Sequence, residues 1–283
     1  MAAALADKGA GTLTKVKMET TFAALQMHCR AGRYGQVGPD SITAKQLRNY
    51  VAQRLGEVST RTVENEVSHI RRALRGAGRE ELAREMTREA LAIPPATRIG
   101  TGRVTDPGVL QRALEKADNE MRAVIQLERY LGLRQAEVIR CARSLPEWQR
   151  AIERGASSIT VRTGTKGGRI RDVFIPAAYR GRVLEAVRAA SEIMADGRKN
   201  MIASATLEGA RQQIQHRFSA LGLDGENSGH SLRRSFARDQ FEHYRTDGLS
   251  QTDALARLSL DLGHGEGRGR WVWNNYLGTT YGS

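Results

Sequence analysis

Apolar positions recur along most of this chain at intervals of three and four residues, the period that places them on one face of an α-helix. Val63, Val67, Ile70 and Leu74 form the clearest run, and Ser59 or Thr60 stands where a helix N-cap belongs. The other faces of that segment carry Arg61, Asn65, Arg71, Arg72 and Arg75. An earlier helix is predicted to begin near Ser41, with Ile42, Leu47, Tyr50, Val51 and Leu55 on its buried side. Arg79 to Ala92 is highly charged but compatible with helix until Ile93-Pro94-Pro95. Proline stops it there, because it lacks an amide donor and restricts the residue before it. Gly100, Gly102, Pro107 and Gly108 come soon after, so the domain boundary is placed here: a helical domain over 1–97 and a second domain over 98–283.

The second domain restarts at Thr105 or Asp106 as cap, with Pro107 at the first helical position. Helical pattern runs on through Leu110, Leu114, Met121, Val124, Ile125 and Leu127. Ser158 to Arg162 and Arg169 to Ile175 instead alternate apolar and polar residues around Thr163-Gly164-Thr165-Lys166-Gly167-Gly168, which predicts a β-hairpin. Helical pattern returns from about Tyr179 to the end of the chain. The fold class is therefore mainly α with a small antiparallel β-sheet.

Composition adds a partner. Across 283 residues, 44 Lys and Arg face 31 Asp and Glu, a formal charge of +13. An excess of that size attracts polyanions, nucleic acid first among them. No stretch approaches the ~20 apolar residues needed to span a bilayer, and the start of the chain lacks the basic, then apolar pattern of a secretion signal. Cys29 and Cys141 lie far apart, and the six histidines form no ligand pair. No protein-built metal site and no cofactor are expected, and the thiols fit a reducing, cytoplasmic setting.

Four local features carry candidate chemistry. Gly132-Leu133-Arg134-Gln135-Ala136-Glu137 sets Arg134 at a break or helix start, with Glu137 three residues later on the same face. Taken alone, it reads as a surface salt bridge. Lys166 sits at the tip of the hairpin, where lysine is usually just solvated. In His230-Ser231-Leu232-Arg233-Arg234-Ser235-Phe236-Ala237, His230 and Arg233 share a helical face while Leu232 and Phe236 turn to the core. Leu262-Gly263-His264 precedes Tyr276 by twelve residues from the histidine, in a Trp271-Val272-Trp273 setting where tyrosine is more often core than nucleophile.

As an ordered set these residues resemble the tyrosine recombinase and phage integrase family, which includes the Xer-type resolvases. The resemblance rests on GLRxxE, the hairpin lysine, HxLRRSFA, LGH and Tyr276, over roughly the last two thirds of the chain. The first hundred residues are similar to the family's helical core-binding domain more loosely. The resemblance implies a two-domain C-shaped clamp on duplex DNA, working on core sites as a homotetramer and free as monomer or dimer, in a bacterial cytoplasm.

It also implies roles. Arg134 and Arg233 would neutralise the non-bridging oxygens of a scissile phosphate, since a guanidinium fork matches them. Loss of one such contact typically costs about 2.7–4 kcal/mol of transition-state stabilisation. His230 and His264 would hydrogen-bond the phosphate or assist proton transfer. Lys166 would protonate the departing 5′ oxygen. Tyr276 would be the nucleophile, with Tyr281 as the alternative. Glu137 would orient Arg134 or an adjacent amide. Arg61, Arg71, Arg72, Arg75, Arg268 and Arg270 are the expected further DNA contacts.

The interval between His264 and Tyr276, filled by Gly265-Glu266-Gly267-Arg268-Gly269-Arg270, is longer than usual in the family and predicts a bending loop. The seven residues after Tyr276 are too few for a substantial exchanged helix, and no additional arm-binding domain is expected. Three other readings remain: a catalytically inactive DNA-binding protein derived from this fold, a type IB topoisomerase, and a small regulator with a helix-turn-helix near Leu249 to Leu262.

Overall fold

The computed structural model describes residues 12–35, 37–95, 102–195 and 197–278. The chain divides into two compact units, Met1–Thr97 and Arg98–Ser283.

The first unit contains four described helices: α1 (Thr12–Ala31), α2 (Ala44–Glu57), α3 (Thr60–Gly76) and α4 (Glu80–Glu85). Helix α2 starts later than Ser41 because Thr43 forms a capping box. Its hydroxyl accepts from the Gln46 amide at 3.3 Å, and the Gln46 side chain accepts from the Thr43 amide at 2.8 Å. Ser59 caps α3, accepting from the Thr62 amide at 3.2 Å. The stripe Val63, Val67, Ile70 and Leu74 is buried against Phe22, Leu25, Leu47 and Val51. The helix expected over Arg79 to Ala92 is confined to α4. Beyond it Met86, Leu91 and Ile93 are all buried, at spacings that no single helical face matches, so the chain folds into turns.

The second unit carries α5 (Pro107–Lys116), α6 (Asn119–Leu131), α7 (Gln135–Ile139), α8 (Leu145–Glu153), strands β1 (Ser158–Val161) and β2 (Arg171–Phe174), then α9 (Arg180–Met194), α10 (Leu207–Ala220), α11 (Gly229–Thr246), α12 (Gln251–Asp261) and the short α13 (Gly269–Val272). Asp106 caps α5 with Pro107 in its first turn. The apolar run that reads as one helix is two, because Asp118 caps α6 by accepting from the Met121 amide at 2.9 Å. β1 and β2 pair antiparallel, from Ser158 opposite Phe174 to Val161 opposite Arg171, and Lys166–Gly168 forms the turn between them. Mainly α with one small sheet is thus the observed class. No helix among the described residues is long and apolar enough to cross a membrane.

One core organises this unit. Val124, Leu127 and Leu131 of α6 pack with Val183 and Val187 of α9 and with Leu232, Phe236 and Phe241 of α11. Several of its helices end at a glycine in the left-handed conformation, Gly132 and Gly263 among them. Gly132 ends α6 in the left-handed conformation, φ 56°, where a Cβ would lie 2.2 Å from the Phe236 ring. Helix α12 ends in a Schellman motif: the Gly263 amide donates to Leu260 O at 2.8 Å and the His264 amide to Ser259 O at 2.9 Å.

Candidate active site

The end of α12 gathers the arginines. A helix C-terminus leaves carbonyl oxygens without intrahelical partners and carries partial negative charge, so it attracts cations. The Leu262 carbonyl accepts from Arg134 Nη2 at 2.8 Å and from Arg233 Nη2 at 2.6 Å. Two guanidinium groups 99 residues apart in sequence therefore meet on one oxygen. Arg134 is the residue before α7, so its backbone amide is free to donate to Glu137 Oε2 at 2.7 Å, and its Nη1 donates to Glu137 Oε1 at 2.9 Å. Glu137 thereby holds both the amide and the side chain of Arg134. Arg233 is only 3% exposed; its Nη1 also donates to the Gly132 carbonyl at the end of α6.

Tyr276 completes the group from a wider, π-helical turn over Trp273–Leu277, a geometry frequent at functional sites. Its hydroxyl lies 3.2 Å from Arg233 Nε, which donates to it, and 3.2 Å from His264 Nε2. The ring is buried and packs beside those of His230 and His264, each with centroids 5.6 Å away. The Trp271 ring lies against His264 at 4.4 Å, tilted by 50°, and is exposed to solvent.

Charge explains the protonation states. Burial first, then Arg233, Arg134, Arg171 and Lys166, hold the His264 imidazole down to about 3. At His230, loss of ring hydration followed by Arg234, Arg233 and Arg134 gives a value of about 4, although the residue as a whole is exposed. Both rings are neutral at physiological pH and resist protonation while the cations around them lack an anion. Burial and the like charge of Arg233 pull Arg134 below its ordinary value against the opposing pull of Glu137, yet an arginine stays charged. Burial works to raise Glu137, but the Arg171 hydrogen bond and charge overcome it and keep the carboxylate ionised. Three guanidinium groups, those of Arg134, Arg171 and Arg233, thus surround one carboxylate, that of Glu137, which bonds the first two; the surplus positive charge is one that an anion would neutralise.

The predicted residues fall into three groups. Arg134, His230, Arg233, His264 and Tyr276 converge. Lys166 stands exposed at the hairpin tip, and its charge is felt at His264. Of the arginines expected along the basic faces, Arg61 and Arg75 are ion-paired with Glu64 at 3.7 Å and Glu80 at 3.6 Å, and Arg71 Nε donates to Ala83 O at 2.9 Å. Arg72 is half-buried; Arg268 and Arg270 are exposed on the loop leading to Tyr276. Arg233 bonds the tyrosine through Nε. Tyr281 lies outside the described residues.

Two residues went unread in the sequence. Arg171 is 6% exposed at an inward position of β2, where alternation had offered the signal: Arg171 and Val173 buried, Asp172 exposed between them. Glu128 is 1% exposed, with its Oε1 unpartnered; burial raises its pKa well above the ordinary carboxylate value, against the charge of Arg233.

Comparison with known proteins identifies the family. A family model described as integrase matches residues 92–239. The chain belongs to that family, the integrases of the tyrosine recombinase type. Its fold is similar to a lambda integrase dimer bound to a COC′ core site, with a TM-score of 0.62 at 18% identity, covering 99% of this chain and 94% of that one. It is also similar to the Tn1549 transposon integrase in complex with transposon right end DNA, with a TM-score of 0.60 at 14% identity, covering 97% and 92%. A lambda integrase tetramer bound to a Holliday junction matches with a TM-score of 0.57 at 18% identity, covering 93% and 74%. Comparison with curated protein sequences gave no match.

Proposed function

We propose that this protein is a site-specific DNA recombinase that cuts and rejoins duplex DNA through a 3′-phosphotyrosyl intermediate. The observation that carries the reading is the meeting of Arg134 and Arg233 on the Leu262 carbonyl, with the Tyr276 hydroxyl against Arg233 and His264. Arg134 and Arg233 hold the non-bridging oxygens of the scissile phosphate. The Tyr276 oxygen attacks phosphorus and its proton passes to His264 Nε2, whose basicity rises once the bound phosphate offsets the surrounding arginines. The bond from phosphorus to the 5′ oxygen breaks, and Lys166, swung in on its hairpin, gives that oxygen a proton. The phosphotyrosyl ester keeps the bond energy, and a 5′ hydroxyl from a second strand reverses the step without a nucleotide cofactor.

The helical unit over 1–97 contributes DNA affinity, and paired core sites bring four copies together. Arg61, Arg72, Arg75, Arg268 and Arg270 add phosphate contacts; each neutralised phosphate steepens the salt dependence of binding by roughly 0.9 in log–log slope.

The test is a nicked duplex whose short strand diffuses away after cleavage, trapping the adduct. Wild-type protein is expected to form a covalent product that survives denaturation, and Tyr276→Phe to form none while binding DNA with nearly unchanged affinity. Failure of wild type to form any adduct, on a substrate library including its own flanking DNA, would leave a DNA-binding protein without cleavage.

A further inference from the structure

Arg171 has no place in the reaction proposed above, yet its side chain is held in the buried cluster by as many hydrogen bonds as that of Arg233. That side chain is 3% exposed. Nη1 and Nη2 bond the two oxygens of Glu137, the second at 2.8 Å, and Nε donates to the Asp261 carbonyl at 2.6 Å. One planar guanidinium thus joins three elements: β2, which carries it, α7 through Glu137, and the end of α12 through Asp261. Its neighbour Arg169 donates from Nη1 to the His264 carbonyl at 2.9 Å, and the Phe174 amide of the same strand donates to Asp261 Oδ1 at 3.3 Å. Gly263 closes the remaining space: a Cβ there would lie 2.8 Å from Arg171 Cδ.

We infer that Arg171 is a positioning residue which, by fixing Glu137 against the end of α12, sets Arg134 at the place where it meets the phosphate. The inference rests on the recombinase reading for its effect on rate, but not for its effect on Arg134 itself. Glu137 is wholly buried and shared by two arginines. With Arg171 in place, both carboxylate oxygens are fixed, and Oε1 and Oε2 present a rigid pair of acceptors to the Arg134 side chain and amide. Without it, Glu137 is free to turn toward Arg134 alone, and the Leu262 contact that Arg134 shares with Arg233 is no longer enforced. A lysine does not substitute, because one ammonium cannot span two carboxylate oxygens and a backbone carbonyl in a plane.

The variants are Arg171→Met, Arg171→Lys, and the double variant Arg171→Met with Glu137→Met, which replaces the buried pair by apolar chains and so guards against simple unfolding. Single-turnover cleavage at saturating DNA is expected to fall about 100-fold in all three, the size of losing one donor to a developing oxyanion, while affinity stays within about threefold. The decisive substrate carries sulfur in place of the bridging 5′ oxygen. A thiolate leaves without a proton, so Lys166→Ala recovers on it, whereas the Arg171 variants are expected to keep their full defect.

Cleavage by folded Arg171→Met at the wild-type rate would overturn the inference. So would rescue by the sulfur substrate, which would assign Arg171 to the hairpin lysine instead. If wild type proves not to cleave, the proposed reaction fails by itself, and the Nε–H resonances of free protein decide the matter. In Arg171→Met the Arg134 signal is expected to shift and exchange faster with water while that of Arg233 holds; an unchanged Arg134 signal would overturn the positioning role.

Discussion

Glu128 shows how a single buried group sets a pH dependence. Its folded pKa is raised, so the fold favours the protonated form. Its contribution to stability is complete below the ordinary value of 4.5 and is lost as pH rises toward the raised one, because the unfolded chain ionises first. The neutral variant Glu128→Gln is therefore expected to gain on wild type in thermal midpoint as pH rises from about 5 to 8, with the two curves meeting at low pH. Parallel curves across that range would show that Glu128 ionises as readily in the fold as outside it. The histidines shift the other way. His264 and His230 are depressed, so their contribution is present above the ordinary 6.5 and is lost as pH falls toward about 3 and about 4. At this scale the sequence was partly legible: Arg134, His230, Arg233, His264 and Tyr276 stand in local spacings that survive folding. Arg171 and Glu128 were not: alternation in β2 signals that Arg171 turns inward, but the partners that give both residues their importance lie far along the chain, where a short window does not reach.

At the scale of elements, turns place the site more than helix faces do. Gly263 has φ +67°, and its missing Cβ leaves room for Arg171 Cδ and, at 3.4 Å, Arg134 Nη1. Gly263→Ala imposes left-handed strain of about 1–2 kcal/mol and pushes Arg171 aside, while Arg134 Nη1 comes into van der Waals contact. It is expected to lower the thermal midpoint by a few degrees and to reduce cleavage much further than that loss of stability explains; activity falling only in step with folded fraction would contradict this. Gly164 makes the same demand at the hairpin, where a Cβ would lie 2.1 Å from the Ala136 carbonyl, so the hairpin loop and α7 are held at backbone contact. The hairpin, the caps at Ser59 and Asp106 and the Ser250 cap of α12 were readable because turn and cap chemistry is local. The break at Asp118 was hidden by apolar spacing that continues in phase across it, and α4 was overextended because charge alone does not reveal where buried Met86 and Leu91 force turns.

For the molecule as a whole, the position of Tyr276 bears on which copy cuts. Its hydroxyl contacts Arg233 and His264 of its own chain, so cleavage in cis follows from the proposed reaction. Mixing Tyr276→Phe with Arg233→Ala on paired sites is then expected to restore no adduct; recovery of cleavage in the mixture would mean that the tyrosine is delivered to a neighbour. The proposed phosphate contacts require the two helical-unit arginines paired to Glu64 and Glu80 to exchange those partners, so their substitution is expected to flatten the salt dependence, with the loss of affinity largest at low salt. The single oxygen of Leu262 has a consequence of its own. Both guanidiniums share that one atom, so a displacement of the α12 terminus disturbs one contact of each at once, while Glu137 keeps its separate hold on Arg134 and the Gly132 carbonyl on Arg233. Under the proposed reaction, a duplex that pushes that terminus out of place would loosen both phosphate contacts together, and the strand would stay uncut.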